Sequence, residues 1–409
     1  MMEGWRSATL EDQDLGRRIA YWRERRGMTQ QLFADRIGRS KSWVEKVEAG
    51  RRSADRLSVM EDICEVLRVD LPVLIGRELP RDSEQCLDNV EVEAIRSALE
   101  RYEGITSGAV AQEEPKDLVP LRRQCDYVWH AFESAAYEIV GRSLPGLLYD
   151  SQRAHRVHAD AESANLLAEV YQVTASTARK LGEFELAWIA GDRGIPVAEE
   201  CGDRLLTATA AFRVANALLA MGRAHAAYDL NMSFVDRLEP SLRTPADLSV
   251  YGTMLLQAAM AGARKGDNRA VRDLVREARE VAGRTGPGRN DYRTAFGPVN
   301  VAIHQVSALV ELGEGGAAVE AAASVPGQDL AQLRRERHAN HLVDVARGYS
   351  QWGKRDTALT TLLGAEQLAP AEVRCRPMAR ATITDLVKRS RGIPPASLRQ
   401  LAARAGVAA

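Results

Sequence analysis

At 409 residues the chain is longer than one ordinary domain, so two or three units are expected. With 45% hydrophobic and 27% charged residues it can bury a core and stay in solution, yet its apolar runs fall far below the ~20 residues that span a bilayer. The net charge of −1 excludes a uniformly basic nucleic-acid binder, but residues 15–56 hold twelve Lys or Arg against five Asp or Glu.

No basic-then-apolar leader opens the chain, so a cytoplasmic protein without a membrane partner is expected. Five cysteines (Cys64, Cys86, Cys125, Cys201, Cys375) are scattered and never in Cys-x-x-Cys spacing. They are expected to be buried thiols, with neither a metal nor a redox centre.

Residues 1–14 are polar and acidic and read as a frayed end. Residues 28–52 read as two short helices joined by a tight turn. Thr29 can cap the first helix, and Leu32, Phe33 and Ile37 give it an apolar side. Gly38 ends it, since glycine takes a left-handed backbone angle at no steric cost. Ser40 then caps the second helix, whose Val44 and Val47 face inward while Lys41, Ser42, Glu45 and Lys46 point outward. A short, capped, half-basic helix propped on another helix suits the major groove of DNA.

The stretch from Leu15 to Gly76 resembles the Xre/Cro-repressor type of helix-turn-helix. The residues that carry the resemblance are Thr29-Gln30, Phe33-Ala34, Gly38, Ser40 and the run Glu48-Ala-Gly-Arg-Arg52. It implies a five-helix head in which Gln30 and Ser40 anchor phosphates and Arg51 and Arg52 grip the backbone beyond the second helix of the pair. Lys41, Ser42 and Lys46 would reach base edges, Lys46 having a surface salt bridge as its alternative. Trp43 departs from the small polar residue common in that family. It would stack on a sugar or a thymine methyl, or plug the helix–helix seam.

Arg77–Ser83, with Pro80, reads as a break, and Cys86–Tyr102 as a connecting helix. Gly104–Lys116 has loop composition and is the expected hinge. The expected domains are therefore 1–80, 81–117 as linker, and 118–409.

From Leu118 onward the chain reads as helix, and within it lies a repeat. Gly182, Gly222, Gly266, Gly313 and Gly353 sit between helical stretches at separations of 40, 44, 47 and 40 residues. Five residues after them come Ala187, Ala227, Val271, Ala318 and Ala358, small or slim side chains where helices must approach closely. This resembles the tetratricopeptide (TPR) family, with longer periods and few of its aromatics; HEAT-like or irregular helix pairs are the alternative. The expected fold is all-α, a helix-turn-helix head followed by a TPR-like α-solenoid of antiparallel helix pairs, with a concave face lined by first helices.

Aligned on the glycines, three rows share one helix face. Thirteen residues before stand Glu169, Thr209, Thr253, Asn300 and Asn340. Nine before come Val173, Arg213, Gln257, His304 and Asp344, and six before come Ser176, Asn216, Met260, Ser307 and Arg347. Short amides and hydroxyls predominate there over Lys and Glu, which favours a ligand groove over a merely solvated surface. Thr209, Arg213, Asn216, Thr253, Gln257, Asn300, His304, Asn340 and Arg347 are its candidate lining, with Asn able to pair with a peptide backbone and Arg213 or Arg347 able to hold a carboxylate.

His338 and His341 lack a third metal ligand at usable spacing, and the glycine-rich runs 283–288 and 313–316 lack a P-loop lysine. No nucleophile or carboxylate-pair motif stands out, so neither an enzyme, a metal nor a cofactor is expected. The combined reading is a bacterial transcription regulator, a homodimer on a palindromic operator in double-stranded DNA, with a peptide or small-molecule effector in the array. Its architecture resembles peptide-responsive quorum-sensing regulators. The alternative is a DNA-tethered protein–protein scaffold with no small effector.

Overall fold

The computed structural model describes residues 10–409 except 27, 55, 68, 70, 76–88, 102–115, 287, 391 and 409. The break expected at 77–83 and nearly all of the hinge expected at 104–116 lie outside the described residues. Every described element is helical, and none of these helices is long and apolar enough to cross a membrane.

The head consists of α1 (Leu10–Arg25), α2 (Gln30–Arg36), α3 (Lys41–Glu48), α4 (Leu57–Leu67) and α5 (Leu71–Leu74). Its core is built from its own side chains, with Ile19, Phe33, Val44, Ile63, Leu67 and Leu74 nearly sealed. Thr29 caps α2 by accepting from the Leu32 N–H at 3.2 Å, and Ser40 caps α3 by accepting from Trp43 N–H at 3.2 Å. Gly38 turns the chain between them at φ +64. Gly16 lets α1 press against the end of α3: a Cβ there would stand 2.1 Å from the Val47 carbonyl oxygen.

Beyond the head, α6 (Asn89–Leu99) packs on the array. The array begins with α7 (Leu118–Glu133) and α8 (Tyr137–His158), then continues as helix pairs: α9 (Ala161–Leu181) with α10 (Phe184–Glu200), α11 (Arg204–Ala220) with α12 (Ala224–Leu238), and α13 (Pro245–Arg264) with α14 (Asn268–Thr285). Next come α15 (Pro298–Glu311) with α16 (Gly315–Ala323), a short α17 (Gly327–Leu330), and α18 (Arg335–Gln351) with α19 (Arg355–Leu368). The chain finishes with α20 (Pro370–Arg374), α21 (Pro377–Lys388) and α22 (Ala396–Arg404).

The repeat seen in the sequence is the structural repeat. All five spacer glycines turn between paired helices at φ between +75 and +90, the left-handed region that a Cβ disfavours. The residue five positions later is buried each time, at 0, 1, 5, 0 and 0% exposure from Ala187 to Ala358. Small side chains there let the second helix of each pair lie close on the first.

A second feature has no counterpart in the repeat pattern: the array closes on itself. Lys180 near the end of α9 is buried against Glu336 of α18 and Glu372 of α20, the latter at 2.9 Å. Tyr137 of α8 donates to the same Glu372 carboxylate, and Arg376 pairs with it at 3.0 Å. Burial lowers the pKa of Lys180, and it raises that of Tyr137 well above the phenol range, so the tyrosine stays a neutral donor. The turn at Gly182 also rests on Pro377. The first glycine-marked repeat is thus tied to the end of the chain, and the helices between them wall a cavity.

Cys64, Cys125 and Cys201 are not disulfide-bonded. Cys375 is disulfide-bonded, which corrects the expectation of five thiols: spacing along a chain says nothing about which cysteines the fold brings together.

Candidate functional site

Two surfaces carry unpaired functional groups. The first is the outer face of α3. Trp43, Val44 and Val47 turn inward, and Lys41, Ser42, Glu45 and Lys46 are exposed, followed by exposed Arg51 and Arg52. The backbone N–H groups of Arg51 and Arg52 both donate to the Lys46 carbonyl, at 2.8 and 3.1 Å, which ends the helix and sets the two arginines beside it. Lys41 pairs with Glu45 one turn on, at 3.3 Å, an exposed pair worth little. Among the described residues Lys46, Arg51 and Arg52 have no carboxylate partner.

Beneath that face, Glu48 braces three helices. It accepts from Arg23 of α1 at 2.6 and 3.0 Å and from Gln30 of α2 at 2.8 Å. Its hydrogen bond raises the Arg23 pKa further. Gln30 is therefore half committed inside the head, with its second amide N–H left to donate to a phosphate. The Ser40 hydroxyl accepts as a helix cap and keeps its proton for donation. Trp43 settles differently from its place among the candidate DNA contacts: at 9% exposure it is part of the head core, with the Arg39 guanidinium 5.6 Å from its ring centroid. It plugs the seam because α3 needs a large apolar side chain where it crosses the rest of the head.

The second surface is the cavity lined by the array, about 490 Å³. Arg213, Asn216, Gln257, His304, Asn340 and Arg347 all line it. Thr209, Thr253 and Asn300 do not. Thr209 is fully buried, donating to the Leu206 carbonyl at 2.9 Å and accepting from Gln172 at 3.2 Å. Thr253 donates to the Ser249 carbonyl at 2.8 Å, and Asn300 accepts from Arg337 at 2.8 Å. These three are corrected to seam residues. At that end of the first helices, neighbouring repeats approach closely enough for short polar groups to bond one another or their own backbone.

His304 sits against the Asn300 carbonyl through Nδ1 at 2.8 Å and Gln257 through Nε2 at 3.3 Å. A carbonyl can only accept, so the proton belongs on Nδ1. Burial, reinforced by the nearby Arg337 charge, pushes its pKa down to about 4, leaving it neutral at pH 7. His341 is lowered to about 4 chiefly by burial. Among the described residues no three His, Cys, Asp or Glu side chains converge as a metal site would require.

Met260, Ser307 and Asp344 of the same aligned rows line it too, but other parts of the wall escaped the repeat alignment. Trp129 and Phe132 come from α7, before the first glycine-marked pair, and Arg179 lies only three residues before its glycine. Asn290, Arg293 and Ala295 come from the connection between α14 and α15, which lies over the cavity as a strap. Tyr292, Arg293 and Ala295 hold φ of +49, +58 and +50, a costly conformation for residues with a Cβ. The strap is held from both sides. Asn290 donates to Glu133 at 2.8 Å, Tyr292 donates to Asp203 at 2.7 Å, and Arg293 pairs with Asp126. Phe296 fills a notch over Gly252, where a Cβ would stand 2.0 Å from its ring.

Residues 14–74 match the family model of a helix-turn-helix domain, so the head is one, and the match ends with α5. By sequence, no curated protein matches the chain. Among solved structures, the chain is similar to Bacillus thuringiensis PlcR in complex with the peptide PapR7 and DNA, at 13% identity and a TM-score of 0.34, covering 85% of this chain and 99% of that one. It is also similar to the apo form of the competence regulator ComR from Streptococcus vestibularis, at 10% identity and a TM-score of 0.25, over 73% and 99% of the two chains. The apo form of ComR from S. thermophilus gives 12% and 0.23, over 89% and 97%. Scores this low carry no inference about ligand or assembly.

Proposed function

We propose that the protein is a sequence-specific DNA-binding transcription regulator whose helical array binds an effector in its cavity and mediates dimerisation. The observation that carries the DNA half is the outer face of α3, where Lys46, Arg51 and Arg52 stand exposed without carboxylate partners in a matched helix-turn-helix domain. Cations left unpaired on a surface are what a polyanionic backbone neutralises. Ser42, Lys41 and Lys46 read base edges, while Arg51, Arg52, Gln30 and Ser40 fix the head on phosphates.

One such head buries little surface on DNA, so two heads on a palindrome, about 34–36 Å apart or a multiple of that, are the working arrangement. The effector acts by favouring one curvature of the array, and so one separation of the heads; it shifts that balance only by its differential affinity for the two states.

Genomic footprinting with the purified full chain tests this reading. Protected sites should form inverted repeats, and binding should weaken steeply with salt. A footprint with no symmetry would remove the dimer, and no footprint at any salt concentration would remove the DNA-binding reading itself.

A further inference from the structure

Every carboxylate lining the cavity already has a partner. Glu133 bonds Asn290 and faces Arg334 at 3.4 Å, and Glu311 pairs with Arg264 and Arg347, each at 2.9 Å. Glu336 holds Lys180, and Asp344 holds Arg347 at 3.1 Å and the Ser307 hydroxyl. Two arginines of the same wall are left over. Among the described residues, neither Arg179 nor Arg213 has a hydrogen bond or an ion pair. Arg213 lies with its guanidinium over the rings of Phe212, at 4.4 Å, and Trp129, at 5.4 Å, and its Nε is sealed from solvent with no acceptor.

Both side chains are half-buried, and holding cations there without a counter-charge has a desolvation cost that an arriving anion would offset. The electrostatics agree. Burial first, then Arg179 and Arg337, push the Arg213 pKa down to about 9, and Arg179 is lowered by burial and by Arg376. These neighbours repel one another.

Resting on the effector reading above, we infer that the cavity takes a small organic anion, a carboxylate or phosphate ester with a flat apolar body. Its anionic oxygens are seated by Arg213 and Arg179, and its body lies against Trp129 and Phe212. Two arginines offer a carboxylate or a phosphate the charge-assisted, paired N–H contacts that each prefers. The volume of about 490 Å³ falls within the range of small-molecule sites. The amides of Gln257 and Asn216 line the same cavity and can hydrogen-bond the ligand, while the neutral His304, with both ring nitrogens already bonded, adds no charge that competes for the anion.

The test uses the full-length protein and three probes: indole-3-acetate, phenyl phosphate and the uncharged indole-3-acetamide. Binding is followed by titration calorimetry and by Tm. At least one anion should bind saturably and raise Tm, with the acetate and phosphate arms telling a carboxylate seat from a phosphate seat; the amide should not. Arg213→Met, which keeps the stem against the rings, should lose about tenfold to a hundredfold in anion affinity. Without ligand this variant should melt no lower than the native chain, since it has shed an unpaired, half-buried cation. Arg179→Gln should weaken the anion in the same direction.

Equal binding of acid and amide would overturn the inference while leaving the effector reading in place. So would unchanged anion affinity in Arg213→Met, or its melting lower with the anion response intact. No saturable binding of either anion at millimolar concentration would overturn it too. Loss of salt-dependent DNA binding, with anion binding intact, would instead strike only the regulator reading.

Discussion

In the head, Lys46, Arg51 and Arg52 lie exposed beside α3, and the buried Arg23 is matched by Glu48 on two oxygens. In the array exposed charges are commonly paired along helices, as in Arg269 with Asp273, and the buried Lys180 is matched by Glu336 and Glu372, but Arg179 and Arg213 are left unmatched in the wall of a cavity. A surface cation without a partner meets a large polyanion from outside. One inside a cavity can meet only what enters it. On the proposed reading, the direction in which unpaired charge points is what separates a nucleic-acid face from a ligand site, although both are built of arginine and short polar residues.

The comparison can be broken most forcefully at the closure of the array. Glu372→Ala removes the acceptor shared by Lys180, Tyr137 and Arg376 and leaves two cations buried. It should cost about 3–5 kcal/mol in chemical denaturation, as stripping one partner from a buried ion network does. A loss near zero would mean that the two ends of the array do not hold each other. In the head, Gly16→Ala should cost about 1–3 kcal/mol or more and abolish DNA binding, because the obstructing atom is a backbone oxygen that cannot rotate away. Gly252→Ala should cost about 1–3 kcal/mol by expelling Phe296 and loosening the strap, read as faster hydrogen exchange near Tyr292.

Two smaller effects sharpen the same contrast. Lys41→Ala should relax sequence preference by about 1–3 kcal/mol at one or two base positions without touching stability. If preference stays unchanged, the assignment of base contacts to Lys41 is wrong. The second effect is acid sensitivity from inside the array. His304 and His341 are held near 4 in the fold, against 6.5 when unfolded. The unfolded chain therefore takes up protons first as pH falls, and stability should decline between about pH 6.5 and pH 4. Replacing both histidines by glutamine should flatten that decline in urea titrations.

Much of this was legible in the sequence because it is periodic or local. Gly38, Thr29 and Ser40 announce the helix pair of the head through backbone preference and capping, and five glycines with a small residue five positions later announce the array. The rows nine and six residues before those glycines pointed to Arg213, Gln257, His304, Asn216 and Arg347, since helical spacing alone decides which face looks inward. The row at thirteen misled at Thr209, Thr253 and Asn300, because polarity cannot distinguish a side chain that faces a ligand from one satisfied in a seam. The closure through Lys180, Glu336 and Glu372, and the strap reaching Glu133 and Asp126, leave no periodic signal. They join residues 156 to 192 and 157 to 167 positions apart.

The central claim, that the outer face of α3 meets duplex DNA, is tested most directly by the salt dependence of DNA affinity for the full chain and for Arg51→Ala. The account predicts that Arg51→Ala weakens all sequences about equally and lowers the slope of log affinity against log salt by about one. An unchanged slope, or a native affinity indifferent to salt, would contradict it.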